Sequence, residues 1–249
     1  MTAPCINPAW YTPAWSLPGI TAFTTTRSGG YSSAPWDSLN LGDHVGDDPV
    51  TVARNRAVVQ SSLPGGTRIQ WLEQVHGVSV IEATGSGSPR ADACWSAQPG
   101  VACTVMTADC MPVLFASVDG RVVAAAHAGW RGLLAGVLEE TIAAMNVAPG
   151  QLQAWLGPAI GPGAFEVGPE VRESFLSAAA DSSAFVPSAR QGHYQADLYA
   201  LARQRLLARG LLRIDGGEFC TFRQPSQFFS YRRDGKTGRM ASLILINPR

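Results

Sequence analysis

Residues 107–132 read TADCMPVLFASVDGRVVAAAHAGWRG, two apolar runs joined by Asp119-Gly120 and flanked by small polar motifs. VLFASV (113–118) and RVVAAA (121–126) have the near-continuous apolar character of strands covered on both faces. Asp-Gly between them predicts a two-residue type I′ turn, because both residues tolerate positive φ. Pairing Val118 with Arg121 sets His127 opposite Pro112 and Cys110 opposite Gly129. Cys110 and Pro112 share a face by two-residue alternation, so Cys110 and His127 become diagonal neighbours, with α-carbons on the order of 7–8 Å apart. Asp109 points to the other face in this register. Pro112 has no N–H for the ladder and marks the start of regular pairing or a bulge.

Outward from this hairpin, the 249 residues are 46% hydrophobic, enough for a sizeable core. Nineteen basic and nineteen acidic residues cancel, leaving no global field for nucleic acid or an anionic membrane. No run approaches the roughly 18 consecutive apolar residues of a membrane span, and MTAPCINPAWYTPAW lacks the features of a signal peptide, so a cytoplasmic location is expected. Cys5, Cys94, Cys103, Cys110 and Cys220 are odd in number and form no CxxC pair, which argues against a disulfide framework or a closed structural zinc site.

Further strands are predicted at ITAFTTT (20–26), VSVIEA (78–83), VACTVM (101–106), LQAWLG (152–157), GEFCTF (217–222) and ASLILI (241–246). Helical spacing marks GLLAGVLEETIAAMNV (132–147), PEVRESFLSAA (169–179) and DLYALARQRLLARG (197–210), the last with Asp197 as N-cap and Gly210 past its end. TGSGSPRADA (84–93) reads as a surface loop. Interspersed helices and strands without strict alternation predict an α/β (α+β) fold, one layered domain over 1–249 with mixed sheets flanked by helices.

His76, in EQVHGVSV, is punctuated like the other two sites. His76, Cys110 and His127 make three protein ligands for a tetrahedral zinc whose fourth position stays open, the pattern of catalytic sites. The same set suits copper. A Cys-His hydrolase with Cys110 as nucleophile and His127 as base uses the same residues, and a structural pair without catalysis is the plainest alternative. Gly129 and Gly132 around Trp130-Arg131 mark either an anion site at a helix start assisted by Arg131 or a turn needed for packing. Asn40 and His44, in LNLGDHVGDDP (39–49), lie either beside a substrate or in a solvated acidic loop. His193 reads as a loop or capping residue. FFSYRRDGKTGRM (228–240) places Arg232, Arg233, Lys236 and Arg239 beside Tyr231, as a grip on a phosphate or a base, or a charged loop.

Together TTTRSGGYSSAPWDSLNLGDHVGDDPVTVARNR (24–56), WLEQVHG (71–77), TADCMPVLF (107–115), AHAGWRG (126–132), LGPAIGPGAFEVG (156–168) and FFSYRRDGKTGRMASLI (228–244) closely resemble the bacterial YfiH family. That family is variously called laccase-domain, multicopper polyphenol oxidase-like, peptidoglycan editing factor and purine nucleoside phosphorylase. The resemblance implies a single α/β domain similar in core to the necrotizing-factor toxins, with zinc on His76, Cys110 and His127. It implies phosphorolysis of adenosine, inosine and methylthioadenosine, with adenosine deamination beside it. The partners are then small molecules, a purine nucleoside and phosphate, with Arg27, Arg131 and Arg232 the phosphate candidates by charge and motif position. A copper-binding polyphenol oxidoreductase, amidase-like editing of cell-wall precursors, and a non-catalytic metal-stabilised binding protein remain alternatives; four histidines are too few for a multicopper cluster.

Overall fold

In the computed structural model, residues 6–15 and 17–248 are described, and Cys5 lies outside them. Their first half forms β1 (Ile20–Thr24), α1 (Pro49–Ser61), β2 (Arg68–Gln70), β3 (Val80–Glu82), β4 (Ala93–Ser96), β5 (Val101–Thr107), β6 (Met111–Ser117) and β7 (Val123–Ala128). There follow α2 (Trp130–Ala135), α3 (Val137–Met145), β8 (Leu152–Leu156), β9 (Glu166–Val167), α4 (Pro169–Ser177), β10 (Phe185–Pro187) and β11 (Tyr194–Ala196). The last elements are α5 (Leu198–Ala208), β12 (Arg213–Gly216), α6 (Tyr231–Asp234) and β13 (Met240–Ile246).

These build two large mixed sheets, ordered β1-β13-β5-β2 and β12-β8-β6-β7-β4-β3, with a small antiparallel sheet β10-β11-β9 at one side. Side-chain alternation stacks the large sheets. Val101, Cys103 and Val105 of β5 meet Leu114, Ala116, Val123 and Ala125 of β6 and β7. The opposite faces carry helices: Val113, Phe115, Ala124 and Ala126 pack under Leu133, Leu138, Ile142 and Leu201, while Ala102, Leu243 and Leu245 pack under Val59. Helix, sheet, sheet and helix therefore form successive layers, and the strands read as continuous apolar runs because each is covered twice. Each fully buried Leu, Val or Phe contributes about 1.5–3 kcal/mol of burial.

The expected α/β fold with mixed, helix-flanked sheets is what forms, and the hairpin register is as derived, with Pro112 facing His127. The turn differs. Gly120 N–H donates to the Ser117 carbonyl at 2.9 Å, and Gly120 takes positive φ (69°) while Asp119 does not. Ser117 Oγ accepts from the N–H groups of Arg121 and Val122, each at 3.0 Å, so a four-residue loop replaces the type I′ pair. Ser117 N–H still donates to the Val122 carbonyl at 2.8 Å, which preserves the pairing.

Three further expectations change. The helix of 132–147 is two helices, α2 and α3, because Gly136 adopts φ 106° between them. GEFCTF (217–222) is not a strand; β12 ends at Gly216, where Gly216 and Gly217 both take positive φ and turn the chain away. The TGSGSPRADA loop is buried over Ala91, Asp92 and Ala93, where β4 begins. The α5 caps hold: the Asp197 carboxylate accepts from Ala200 N–H, and Gly210 has φ 82°. Helix α1, which sequence periodicity did not mark, starts at Asp48, whose carboxylate caps Val50 and Thr51. Among the described residues no helix is long and apolar enough to cross a membrane.

Candidate metal centre and its cavity

Three strand ends and one loop converge where the two sheets splay. β5 ends at Thr107, and Ala108, Asp109 and Cys110 carry the chain across to β6 in the other sheet. Asp109 makes that crossing with φ 91°, a conformation that a non-glycine residue holds only at a cost of about 1–2 kcal/mol. Cys110 thus sits beyond the last paired residues, Met111 and Ala128, on the face that His127 occupies. His76 arrives on the 71–77 loop, also with positive φ (60°). Its ring lies 4.8 Å from that of His127, centroid to centroid.

Asp92 ties these parts together. It continues the β4–β7 pairing so as to face His127, and His127 N–H donates to the Asp92 carbonyl at 2.7 Å. The fully buried Asp92 carboxylate lies 2.8 Å from His127 Nδ1 through Oδ1. It also accepts the backbone N–H of His76 at 2.9 Å and of Gly77 at 2.6 Å. An ionised carboxylate only accepts, so the shared proton sits on Nδ1, and it is Nε2 that gives up its proton and offers a lone pair when a metal binds.

The ligand atoms of His76, Cys110 and His127 lie within 4.8 Å of one another. One ion with bonds of about 2.0–2.3 Å reaches all three after small side-chain adjustments. Gly129 is what lets them approach: a Cβ there would lie 2.9 Å from Cys110 Sγ and 2.9 Å from His76 Nδ1. At Gly132 a Cβ would meet the Gly77 carbonyl at 2.9 Å. Close packing around the ligands thus accounts for both glycines of AHAGWRG.

Charge favours metal binding. Burial raises the Cys110 thiol, but the charges and hydrogen bonds of His127 and His76 outweigh it and bring the pKa down to about 6. Burial opposes protonation of His127, yet the Cys110 thiolate and the Asp92 carboxylate raise it to about 9. Asp92 itself, despite burial, is lowered by His127 and by the Gly77 N–H. The metal-free centre is a thiolate–imidazolium pair, and a divalent cation replaces the imidazolium proton with a stronger positive charge. The donor set and its geometry fit a zinc-type ion.

Above this centre opens a cavity of about 570 Å³, which His44, Arg131 and Arg232 also line. Arg131 stacks on Trp130, its guanidinium carbon 4.5 Å from the ring centroid, and makes no hydrogen bond to a described residue. Arg232 lies over Phe165 and donates to the Glu166 carbonyl at 3.0 Å. His44, on the wall, contacts Asp43 at 3.5 Å. Two predicted substrate residues are placed elsewhere. Arg27 lines a separate hollow, donating to the Asp37 and Pro225 carbonyls at 2.9 Å each and pairing with the Asp37 carboxylate. Buried Asn40 spends its amide on Gly42, Asp47 and Arg239 N–H. His193 is outside the cavity lining, near the Gln191 carbonyl.

Sequence reading missed Asp92 and Asp109 as parts of this site. Asp109 reaches the cavity wall, where its carboxylate accepts from Thr221 Oγ1 and from Arg232 N–H, both at 2.6 Å. Alternation had turned it away from the site, but Asp109 precedes β6 and its positive φ breaks the alternation. Of the four cationic residues of 228–240 read as a grip on a phosphate or a base, or a charged loop, Arg232 and Arg239 line the cavity and Arg233 and Lys236 do not. For Asp92 a signal existed: ADAC (91–94) sets one acid among small residues suited to a core.

A family model described as multi-copper polyphenol oxidoreductase laccase matches residues 21–247. The chain is 58% identical over 240 residues to a Pseudomonas aeruginosa protein named a purine nucleoside phosphorylase, covering 96% of this chain and 98% of that one. With the Escherichia coli purine nucleoside phosphorylase YfiH it shares 53% over 238 residues, 94% of this chain and 97% of that one. A crystal structure from Neisseria meningitidis superposes with a TM-score of 0.92 at 48% identity, covering 96% of this chain and all (100%) of the other. The crystal structure of YlmD from Geobacillus stearothermophilus superposes with a TM-score of 0.85 at 32% identity, covering 98% and 95%.

Proposed function

Because the chain belongs to this laccase-like YfiH family, we propose that it is a zinc-dependent purine nucleoside phosphorylase, acting as one catalytic unit. The observation that carries the reading is the cavity, which sets one His2Cys donor cluster beneath a wall bearing Arg131, Arg232 and Arg239. None of these three arginines pairs with a carboxylate among the described residues, so the wall keeps its positive charge for an anionic substrate. Its size lies in the range of small-ligand pockets, about 300–1,000 Å³.

In phosphorolysis a phosphate oxygen forms a bond to the ribose C1′ while the C1′–N9 bond breaks. The purine leaves with the bonding electrons and takes up a proton. The arginines hold the phosphate and offset its charge as it approaches the sugar. Trp130, Phe165 and Tyr231 offer aromatic surface for the purine. Asp92 keeps His127 in the ligating tautomer, and Asp109 anchors the backbone at Arg232. A zinc ion on His76, Cys110 and His127 would supply Lewis acidity at the cavity floor.

The family description points instead to phenol oxidation. Among the described residues only His44, His76 and His127 line the cavity with one cysteine, and a multicopper cluster needs more imidazole than that. The reading extends to methylthioadenosine as substrate and to deamination of adenosine, in which water replaces the 6-amino group. Cys94, Cys103, Cys110 and Cys220 are free thiols, which supports work in the reducing cytoplasm.

The test is incubation of zinc-loaded protein with adenosine or inosine, with and without phosphate, followed by chromatography. Phosphate-dependent release of base and pentose 1-phosphate from both is expected, with inosine accumulating from adenosine when phosphate is left out. No turnover of either nucleoside by protein with its zinc bound would overturn the proposal.

A further inference from the structure

We infer that Arg239 is the principal phosphate contact of the cavity, with the Thr107 hydroxyl beside it. The inference rests on the nucleoside phosphorylase reading for its physiological ligand and on the following geometry for its site. Arg239 precedes β13 and lines the cavity, partly buried. Its Nη1 donates to the Thr237 and Gly238 carbonyls at 3.1 and 3.0 Å, which orients the guanidinium. Nε and Nη2 donate to no described residue. They form the side-on edge that grips two oxygens of a phosphate at once.

Four other partly buried arginines, Arg27, Arg56, Arg205 and Arg233, each have a carboxylate oxygen within 3.2 Å. Two more, Arg172 over Tyr194 and Arg203 on the Ile214 and Gly216 carbonyls, pair with no carboxylate among the described residues but lie outside the cavity lining. Arg239 has none within pairing distance among the described residues. Asp109, which also lines this cavity, has its oxygens engaged by Thr221 and by the Arg232 N–H. Cys110 and Asp109 attract it from beyond pairing distance, but burial outweighs them, and a partly buried cation with no direct partner is costly unless a ligand supplies one.

The surroundings are built to hold this side chain still. Arg239 N–H donates to Asn40 Oδ1 at 2.9 Å, and its carbonyl accepts from Leu41 N–H at 3.1 Å. Gly42 leaves room for the stem, since a Cβ there would lie 2.8 Å from Arg239 Cγ. Asn40 thereby acts as a positioning residue rather than a substrate contact. Thr107 provides an independent sign of a ligand. It is 2% exposed, lines the same cavity, and its hydroxyl has no hydrogen-bond partner among the described residues. β5 pairs it with Met240, the neighbour of Arg239.

The test measures binding of inorganic phosphate to zinc-loaded protein by titration calorimetry, without nucleoside, for the wild type and the variants Arg239→Met, Gly42→Ala and Arg121→Gln. Arg239→Met is expected to weaken phosphate binding about ten- to hundredfold, the loss of a charged hydrogen-bonding pair. Gly42→Ala keeps the guanidinium but crowds its stem, and should weaken binding in the same direction with unchanged zinc content. Arg121, 84% exposed at the closed end of the hairpin, is the control, and its variant should bind as the wild type does. In turnover, the first two variants should raise the KM for phosphate more than that for inosine. Wild-type-like phosphate affinity in Arg239→Met, or no phosphate binding by the wild type, overturns the assignment whatever the turnover. Phosphate binding that depends on Arg239 in a protein that cleaves no nucleoside would sink the phosphorylase reading and leave the anion site standing.

Discussion

Asp92 Oδ1 and His127 Nδ1 lie 2.8 Å apart on neighbouring strands, and the same carboxylate accepts the backbone N–H of His76. One buried acid therefore orients both histidines of the candidate centre. It sets the tautomer of the first through its ring and the position of the second through its main chain.

Asp92→Asn tests that arrangement. The amide keeps the shape but loses the charge, and its NH2 faces donors where the carboxylate faced them as an acceptor. Zinc affinity should fall about 10–100-fold, as for other partners of metal-bound histidines. Competition with a chromogenic chelator measures it, and an unchanged affinity would show that the carboxylate does not prepare the site.

Gly129→Ala tests the close approach. Gly129 has φ −67° and ψ 159°, which alanine adopts freely, so any effect comes from the added methyl group. That methyl would lie 2.9 Å from Cys110 Sγ and from His76 Nδ1. The variant should fold with a melting temperature near that of the wild type but bind substoichiometric zinc by elemental analysis. Full zinc occupancy would mean that the loop carrying His76 yields readily.

The charge of Cys110 is testable in metal-free protein. Its pKa of about 6 puts the thiolate in place at neutral pH, with His127 still protonated. Lowering the pH through about 6 protonates the thiolate, so alkylation by iodoacetamide should slow across that range and level off above it. Cys94 and Cys103 are fully buried and should stay unmodified. Zinc should block the reaction at neutral pH and above, where the ligands can give up their protons to it. A rate still climbing through pH 8 to 9, near the ordinary thiol value of 9.0, would contradict the ion pair.

Much of the hairpin was legible in the chain. Strand pairing is local there, so a short turn and two-residue alternation suffice to bring Cys110 and His127 to one end on one face. The register survived an error in the turn type because the Ser117 and Val122 pairing is the same in either loop. Likewise Asp197 and Gly210 bound α5 through contacts within a few residues. Gly136 misled because its helical neighbours mask a break that only its φ of 106° reveals. Arg27 and Arg131 look alike in sequence, one held by Asp37 and Pro225, the other open to the cavity.

Sequence by itself determined the layered α/β class, the hairpin and the identity of the three candidate ligands, because burial periodicity, hairpin register and motif content are properties of short stretches. Tertiary structure alone decided that Asp92 meets His127 and His76, that Asp109 faces Thr221, and that Arg239 reaches the cavity without pairing with a carboxylate among the described residues. Those outcomes depend on how two sheets stack and where their ends splay. Charges brought together over long sequence separations are sorted by that packing, and no local pattern records which of them remain unpaired.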